Sequence, residues 1–214
     1  NKTLIINNPH LKKALEYFDI TLSSSIDPSG GVFYPEYFRK NFIFNDLTQK
    51  GALIALRVEG PLNSVDHRIK KLCKELDIIN NEFSVLDQEQ SNIFWEKTRR
   101  LQVFTSLQGS LLRVVVPFSE TFEVIQKLKK YQINYFLDWG GSLIWLQIDE
   151  INTKILREIK EIVQKVAGYL TVIKIEEDMK ATIDVFTIDP IKYKISEKIK
   201  KSFDPKRILN PGKM

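Results

Sequence analysis

The chain has 214 residues, of which 43% are hydrophobic and 11% aromatic, a composition typical of a globular protein with one large domain or two small ones. Its net charge of +5 is a mild excess without a basic stripe interleaved with aromatic residues, so we do not expect nucleic acid as a partner. The single cysteine, Cys73, excludes an internal disulfide framework, and we find no transmembrane run and no signal segment, which predicts a soluble cytoplasmic protein.

The first 87 residues are predicted to form a β-α-β-β-α-β unit. The chain enters directly on an apolar run after Asn1, which is how a fragment of a longer protein begins. Between the second and third strands, the aromatic segment 32–50 is interpreted as a long connection or an insertion, and a turn cluster at 27–31 precedes it. The predicted strands are 3–6, 20–26, 52–58 and 82–86, and the predicted helices start at Pro9 and Pro61.

A connecting helix within 88–109 leads to a second unit with the same succession, at 110–176. The helix is predicted to place Ile93, Phe94 and Leu101 inward, with Trp95 at the border. A hairpin turn is predicted at Asp138-Trp139-Gly140-Gly141, between the two middle strands. The strands of this unit are predicted at 111–116, 134–137, 143–148 and 169–175, and its helices near 119–128 and 153–166.

These patterns predict an α+β fold. Two ferredoxin-like halves are expected to pair edge to edge into one mainly antiparallel sheet, with helices on one face and a partner domain or subunit covering the other. The remaining segment, 177–214, is predicted to supply a C-terminal helix and a tail. Asp204-Pro205 ends that helix and Asn210-Pro211-Gly212 turns the chain again, either as an ordinary terminal turn or as a segment that docks elsewhere.

The sequence contains no catalytic motif that we recognise. It has neither a glycine-rich dinucleotide fingerprint nor a phosphate loop. His10 and His67 have no second histidine or cysteine at ligand spacing, so no metal site is predicted. Cys73 is interpreted as a small apolar residue on a helix. The residues by themselves therefore predict no catalysis by this chain alone.

Four stretches carry a family resemblance: the tail 203–214, Leu56-Arg57-Val58-Glu59-Gly60, Phe94-Trp95 and Leu137-Asp138-Trp139-Gly140-Gly141. With them the chain resembles the C-terminal part of FAD-linked oxidases of the vanillyl-alcohol oxidase type, and most closely the FAD-binding subunit of bacterial glycolate oxidase. The resemblance implies a cap domain with a double ferredoxin-like sheet. It also implies FAD, held mainly by an N-terminal domain of the same protein, and oxidation of a 2-hydroxy acid such as glycolate.

The resemblance implies site residues and partners as well. The tail would return to the flavin domain, with Asn210, Pro211, Gly212 and Lys213 near the cofactor, and the Asp138 to Gly141 turn is either a plain hairpin turn or part of the active-site cleft. Partners would include an iron-sulfur subunit, with peripheral attachment to the inner membrane through such subunits. Histidine motifs of related dehydrogenases are absent, which favours an accessory subunit. The alternative is a stand-alone double ferredoxin-like module that binds a ligand or a protein without catalysis.

Overall fold

The computed structural model describes residues 1–39, 51–78, 83–105, 108–180, 183–186 and 190–210. Within these ranges the chain has an α+β fold. The strands are β1 (Lys2–Asn7), β2 (Gly30–Tyr34), β3 (Leu53–Val58), β4 (Phe83–Leu86), β5 (Ser110–Val115), β6 (Asn134–Asp138), β7 (Leu143–Ile148) and β8 (Tyr169–Lys174). The helices are α1 (Leu11–Ser23), α2 (Glu36–Arg39), α3 (Leu62–Glu75), α4 (Gln88–Arg99), α5 (Thr121–Leu128), α6 (Thr153–Lys165), α7 (Glu177–Lys180) and α8 (Pro190–Phe203).

All eight of these strands belong to one antiparallel sheet. Their order across the sheet is β4-β1-β3-β2-β6-β7-β5-β8. The two halves have the same internal order, because β8-β5-β7-β6, counted from the β8 edge, corresponds to β4-β1-β3-β2, counted from the β4 edge. The halves meet where β2 pairs with β6, at Phe33 opposite Leu137. The pairing at this seam is short. No helix in the described ranges is both long and apolar enough to cross a membrane.

The sheet has two different faces. Helices α1, α3, α5 and α6 cover the first face, where alternate strand residues such as Leu4, Ile54 and Leu146 join the apolar sides of these helices in one core. Each of these helices presents buried residues at helical spacing, for example Val65, Ile69 and Leu72 in α3. A second, smaller core lies on the opposite face, which we call the second face.

In the described ranges, helical structure packs on the second face over the first half of the sheet. Phe94 of α4 and Phe104 of the short helix Gln102–Phe104 pack there against Tyr34 and Phe136. The prediction that all helices lie on one face is therefore wrong for α4. Its buried aromatic side fits a second apolar surface, which the alternation of the strands provides because strand residues point to both faces.

The predicted strand 20–26 is also wrong. Residues up to Ser23 continue α1, in which Tyr17, Phe18 and Thr21 are buried and the Thr21 hydroxyl donates to the carbonyl of Tyr17. The alternation that suggested a strand arises because Ile20 and Leu22 lie on the exposed side of the helix. The second strand is instead β2, which begins at the two glycines that were predicted as a turn.

Three smaller differences concern the segments next to the sheet. The predicted irregular segment 32–50 contains the end of β2 and helix α2, and residues 40–50 lie outside the described ranges. Helix α4 ends at Arg99 because Leu101 adopts a left-handed conformation with φ +52°. Ile93, expected inward, is 43% exposed, whereas Phe94 is fully buried as predicted.

Candidate functional site

The second face carries polar and aromatic side chains over the second half of the sheet. Arg113 on β5 lies directly opposite Trp145 on β7, and Trp145 lies opposite Phe136 on β6. Three neighbouring strands therefore place these side chains side by side. Further along this face, Leu111 and Thr171 are half-buried, while Tyr169 and Ile173 are exposed. This surface is therefore partly exposed in the described chain, and Lys192 of α8 lies over the ring of Tyr169.

An aromatic row links this surface to the buried second core. The rings of Tyr34 and Phe136 stack with centroids 4.7 Å apart, and those of Phe136 and Trp145 with centroids 6.4 Å apart. At the buried end the Tyr34 hydroxyl donates to Thr98 Oγ1 over 3.0 Å, and burial raises the pKa of Tyr34. The row fixes the position of Trp145, because its neighbours are packed on rigid strands.

The predicted hairpin turn lies at the edge of the same surface. Strands β6 and β7 pair antiparallel, which confirms the hairpin, and the turn between them is the short helix Trp139–Gly141. Trp139 itself has φ +51°, a rare conformation for a residue with a side chain, and the residue is 58% exposed. Thr121 Oγ1 donates to the carbonyl of Gly141 over 2.8 Å, which ties the turn to α5.

Asp138 connects the turn to the polar cluster. It lies two residues after Phe136 on β6, so its side chain is on the second face, where it is half-buried and accepts a hydrogen bond of 2.7 Å from the backbone N–H of Trp139. Burial raises the pKa of Asp138, and the Trp139 N–H, the Trp145 indole and the charge of Arg113 partly oppose this rise. The carboxyl is therefore easier to protonate than an exposed aspartate.

Two hydrogen-bond donors in this cluster, the Arg113 guanidinium and the Trp145 indole N–H, have no acceptor at ordinary hydrogen-bond geometry in the described ranges. The guanidinium of Arg113 lies over the ring of Trp139, with 4.8 Å between its central carbon and the ring centroid. The indole Nε1 of Trp145 is buried and makes no hydrogen bond of ordinary geometry, although it is close enough to Asp138 to influence the pKa of that carboxyl. We call Arg113, Asp138, Trp139 and Trp145 the second-face cluster.

A cavity of about 350 Å³ opens beside the cluster, where the start of β2 lies next to the end of β6 and the turn that follows it. A volume of this size accommodates a small molecule or part of a ring system. On one side of the cavity Gly31 packs closely on Phe18, since a Cβ added to Gly31 would lie 3.2 Å from the Phe18 ring. The cavity is lined by Phe18, Leu22, Pro28, Ser29, Gly30, Gly31, Leu56, Trp95, Asp138, Trp139 and Gly140.

Residues 204–210 of the tail have a defined structure. The Asp204 carboxylate is buried, accepts hydrogen bonds from the backbone N–H groups of Ile208 and Leu209, and pairs with Lys200 Nζ at 2.9 Å. These bonds fold residues 204–209 back on the end of α8, and Asn210 follows with φ +45°. The other predicted cofactor residues, Pro211, Gly212 and Lys213, lie outside the described residues.

The structure therefore brings some of the predicted site residues together. It brings the Asp138 to Gly141 turn to the second face and to the cavity. In the described ranges no hydrogen bond or ion pair joins Asn210 to that turn. Sequence reasoning missed Arg113 and Trp145. A signal for Arg113 was present, since it is the one charged residue in the apolar run Leu111-Leu112-Arg113-Val114-Val115-Val116, at a position whose neighbours in the strand are buried.

Known proteins share this fold. The chain superimposes on a crystal structure of p-cresol methylhydroxylase with substrate bound, with a TM-score of 0.63 and 14% sequence identity, covering 99% of this chain and 52% of that one. A structure of alkyldihydroxyacetonephosphate synthase gives a TM-score of 0.60 at 14% identity, covering 98% of this chain and 43% of that one. The chain thus spans about half the length of these structures.

Sequence comparison adds one further finding. No curated protein sequence matches the chain. Residues 185–214, which contain α8 and the tail, match the family model described as FAD linked oxidases, C-terminal domain. The shared fold thus covers nearly the whole chain, whereas the family match covers its C-terminal residues 185–214.

Proposed function

We propose that the chain is the cap domain of an FAD-dependent oxidoreductase and that its second-face cluster lies next to the reaction site. The observation that carries the proposal is the partly exposed patch of Arg113, Asp138, Trp139 and Trp145 on the second face of the sheet. Polar groups gathered on a partly exposed sheet face, beside a cavity, are typical of a small-molecule site. The C-terminal family match makes a flavin the cofactor to be expected there.

The residues present fit a flavin whose main binding site lies in an N-terminal domain of the same protein. The exposed ring of Trp139 offers an aromatic surface, and Arg113 beside it offers positive charge. Asn210 and the tail after it would contact the cofactor from α8. When bound, FAD supplies the acceptor for a hydride, while this chain's residues bind and orient the substrate and exclude water.

For the substrate we propose a 2-hydroxy acid such as glycolate, with electrons passed on to an iron-sulfur subunit of a glycolate-oxidase-like complex. The residues of the tail and of the Leu137 to Gly141 stretch support this part through their resemblance to the glycolate oxidase FAD-binding subunit. The chain contributes a cation, Arg113, and a half-buried carboxyl, Asp138, whose raised pKa suits a group that holds a proton near the substrate.

The experiment is to express the full open reading frame that encodes this chain and to record the absorbance of the purified protein. We expect a flavin spectrum from the full-length protein and a colourless preparation of residues 1–214. An Asn210→Ala change in the full-length protein should lower flavin retention, whereas Lys206→Ala, in an exposed residue of the same tail, should not. A full-length protein that neither retains nor reduces a flavin contradicts the proposal and leaves the non-catalytic binding module.

A further inference from the structure

We propose that Arg113, together with the Trp145 indole N–H, forms a binding site for the carboxylate of a small organic acid, with Trp139 holding the guanidinium in place. The inference deepens the proposed function and rests on it only in placing this acid beside a flavin. The site itself consists entirely of residues of this chain, so it can be tested without the cofactor.

The first step concerns the hydrogen-bonding capacity of Arg113. Its side chain is half-buried and lies over the Trp139 ring at 4.8 Å, and in the described ranges it forms no ion pair and no side-chain hydrogen bond. A guanidinium stacked on an aromatic ring keeps the donors at its edge available, and these donors match a carboxylate in a two-point arrangement. The stacking also restricts the side chain, which lowers the entropy lost on binding.

The second step concerns the indole N–H of Trp145, which is buried and makes no hydrogen bond of ordinary geometry, although it is close enough to the Asp138 carboxyl to lower the pKa of that group. A buried N–H with an incomplete hydrogen bond costs free energy, and a ligand that accepts from it recovers part of that cost. Trp145 is the direct cross-strand neighbour of Arg113, and Phe136 stacks on it from the other side. Both groups donate and neither accepts, so the ligand that satisfies them must supply acceptor oxygens.

The third step restricts the charge of the ligand. Asp138 is near enough to Arg113 for their charges to interact, and it lies beside the same indole. Like charges repel, so the Asp138 carboxylate repels a ligand with one negative charge less strongly than it repels a doubly charged phosphate. The half-buried ring of Trp145 offers apolar surface beside these donors. These features favour a monocarboxylate over a phosphate.

The test uses the three tryptophans of the chain, Trp95, Trp139 and Trp145, as separate reporters. The chain is labelled with ¹⁵N-tryptophan, its three indole N–H signals are assigned by single Trp→Phe changes, and sodium glycolate is added at constant ionic strength. We expect a saturable shift in the millimolar range for Trp145 and Trp139. Trp95, whose indole donates to Thr3 Oγ1, should not move.

Variants of Arg113, compared with a control variant elsewhere on the chain, test whether this side chain binds the carboxylate. Arg113→Gln should abolish the shifts and Arg113→Lys should weaken them severalfold, because lysine keeps the charge but loses the planar fork. Arg157→Gln, which removes the same charge from an exposed position on α6, should leave them unchanged. The unmoved Trp95 signal shows in each variant that the fold is intact.

Several outcomes overturn the site. They are no saturable shift with glycolate, an equal response to the neutral analogue glycolamide, a larger response to inorganic phosphate, or a response that survives in Arg113→Gln. The failure of this inference is distinct from failure of the proposed function, since a full-length protein could retain flavin and still bind its substrate without Arg113. Conversely, carboxylate binding by a protein without flavin would keep the site and remove only its redox role.

Discussion

The indole of Trp95 lies on the backbone of Gly30. A Cβ placed on Gly30 would come within 2.8 Å of Cη2 of Trp95, a distance that real side chains essentially never reach. This contact joins α4 on the second face to the first residue of β2, and both residues line the cavity. The glycine is therefore required by the close approach of a large ring, and the contact helps to fix the shape of the cavity.

Gly30→Ala is expected to destabilise the protein by about 1–3 kcal/mol, the usual cost of adding a methyl group to a packed site. Trp95 must shift to make room, so its indole signal should move even in the folded variant. Urea denaturation and the ¹⁵N-tryptophan spectrum measure the two effects. Ser29→Ala, one residue earlier, serves as the control with little change in either; equal stability of Gly30→Ala and wild type would contradict the contact.

Thr3 links β1 to α4 through a buried hydroxyl. Its Oγ1 accepts from Trp95 Nε1 over 2.8 Å and lies 2.6 Å from Ser91 Oγ. Thr3→Val has nearly the same shape but leaves the indole N–H and the serine hydroxyl without this partner. We expect a loss of about 1–3 kcal/mol in the free energy of unfolding.

Denaturant unfolding measures this loss, with Thr153→Val as the control because Thr153 is exposed at the start of α6. A double-mutant comparison sharpens the result. In a Trp95→Phe background, which has no indole donor, Thr3→Val should cost clearly less than in the wild type. The same cost in both backgrounds would show that the hydrogen bond to Trp95 contributes nothing measurable.

The raised pKa of Asp138 predicts how the stability of the fold depends on pH. Burial raises the pKa of Asp138 in the folded chain above its ordinary value of 3.8, so the folded state binds this proton more tightly than the unfolded state. Its contribution to stability therefore falls as the pH rises from 3.8 through the folded pKa, and the charged carboxyl destabilises the fold above that range.

Asp138→Asn, which keeps an oxygen to accept from the Trp139 N–H, should raise the free energy of unfolding at neutral pH. At acid pH, where Asp138 is protonated, it should have little effect. Unfolding curves at several pH values compare this variant with Asp19→Asn, an exposed position on α1. A variant less stable than wild type at neutral pH would show that the charge of Asp138 stabilises the cluster.

The lowered pKa of Asp204 predicts that the order of the tail depends on pH in the opposite direction. The hydrogen bond with Lys200, followed by the backbone N–H groups of Leu209 and Ile208, lowers the pKa of Asp204 below its ordinary value of 3.8. The order that it gives the tail is therefore fully present above pH 3.8 and is lost as the pH falls through the lower, folded pKa.

Asp204→Asn should speed amide hydrogen exchange at Ile208 and Leu209 at neutral pH, while the strands keep their protection. Asp178→Asn, at an exposed position in α7, should leave these two amides unchanged. In the full-length protein we expect Asp204→Asn to weaken flavin retention as well, because it releases the turn that precedes Asn210. Unchanged exchange at both amides would contradict the role of the Asp204 carboxylate.

The amino-acid sequence determined most of the elements by their periodicity. Helix α3 and strand β3 were predicted within a few residues, because Val65, Ile69 and Leu72 recur at helical spacing and Leu53 to Leu56 form a continuous apolar run. The turn at Asp138 to Gly141 was predicted from its glycines and from the strands on each side. These are local signals, and neighbours in the sequence are sufficient to generate them.

The tertiary structure alone decided which glycines form a turn and which residues form the site. Gly30 and Gly31 begin a strand because Trp95 and Phe18 pack on their backbone, and nothing within their own segment encodes those distant contacts. Likewise, Arg113 and Trp145 are 32 positions apart in sequence and become neighbours only through the register of β5 and β7. Cross-strand register depends on pairing across the whole sheet, so a single sequence read in order could not show the cluster that we propose as the carboxylate site.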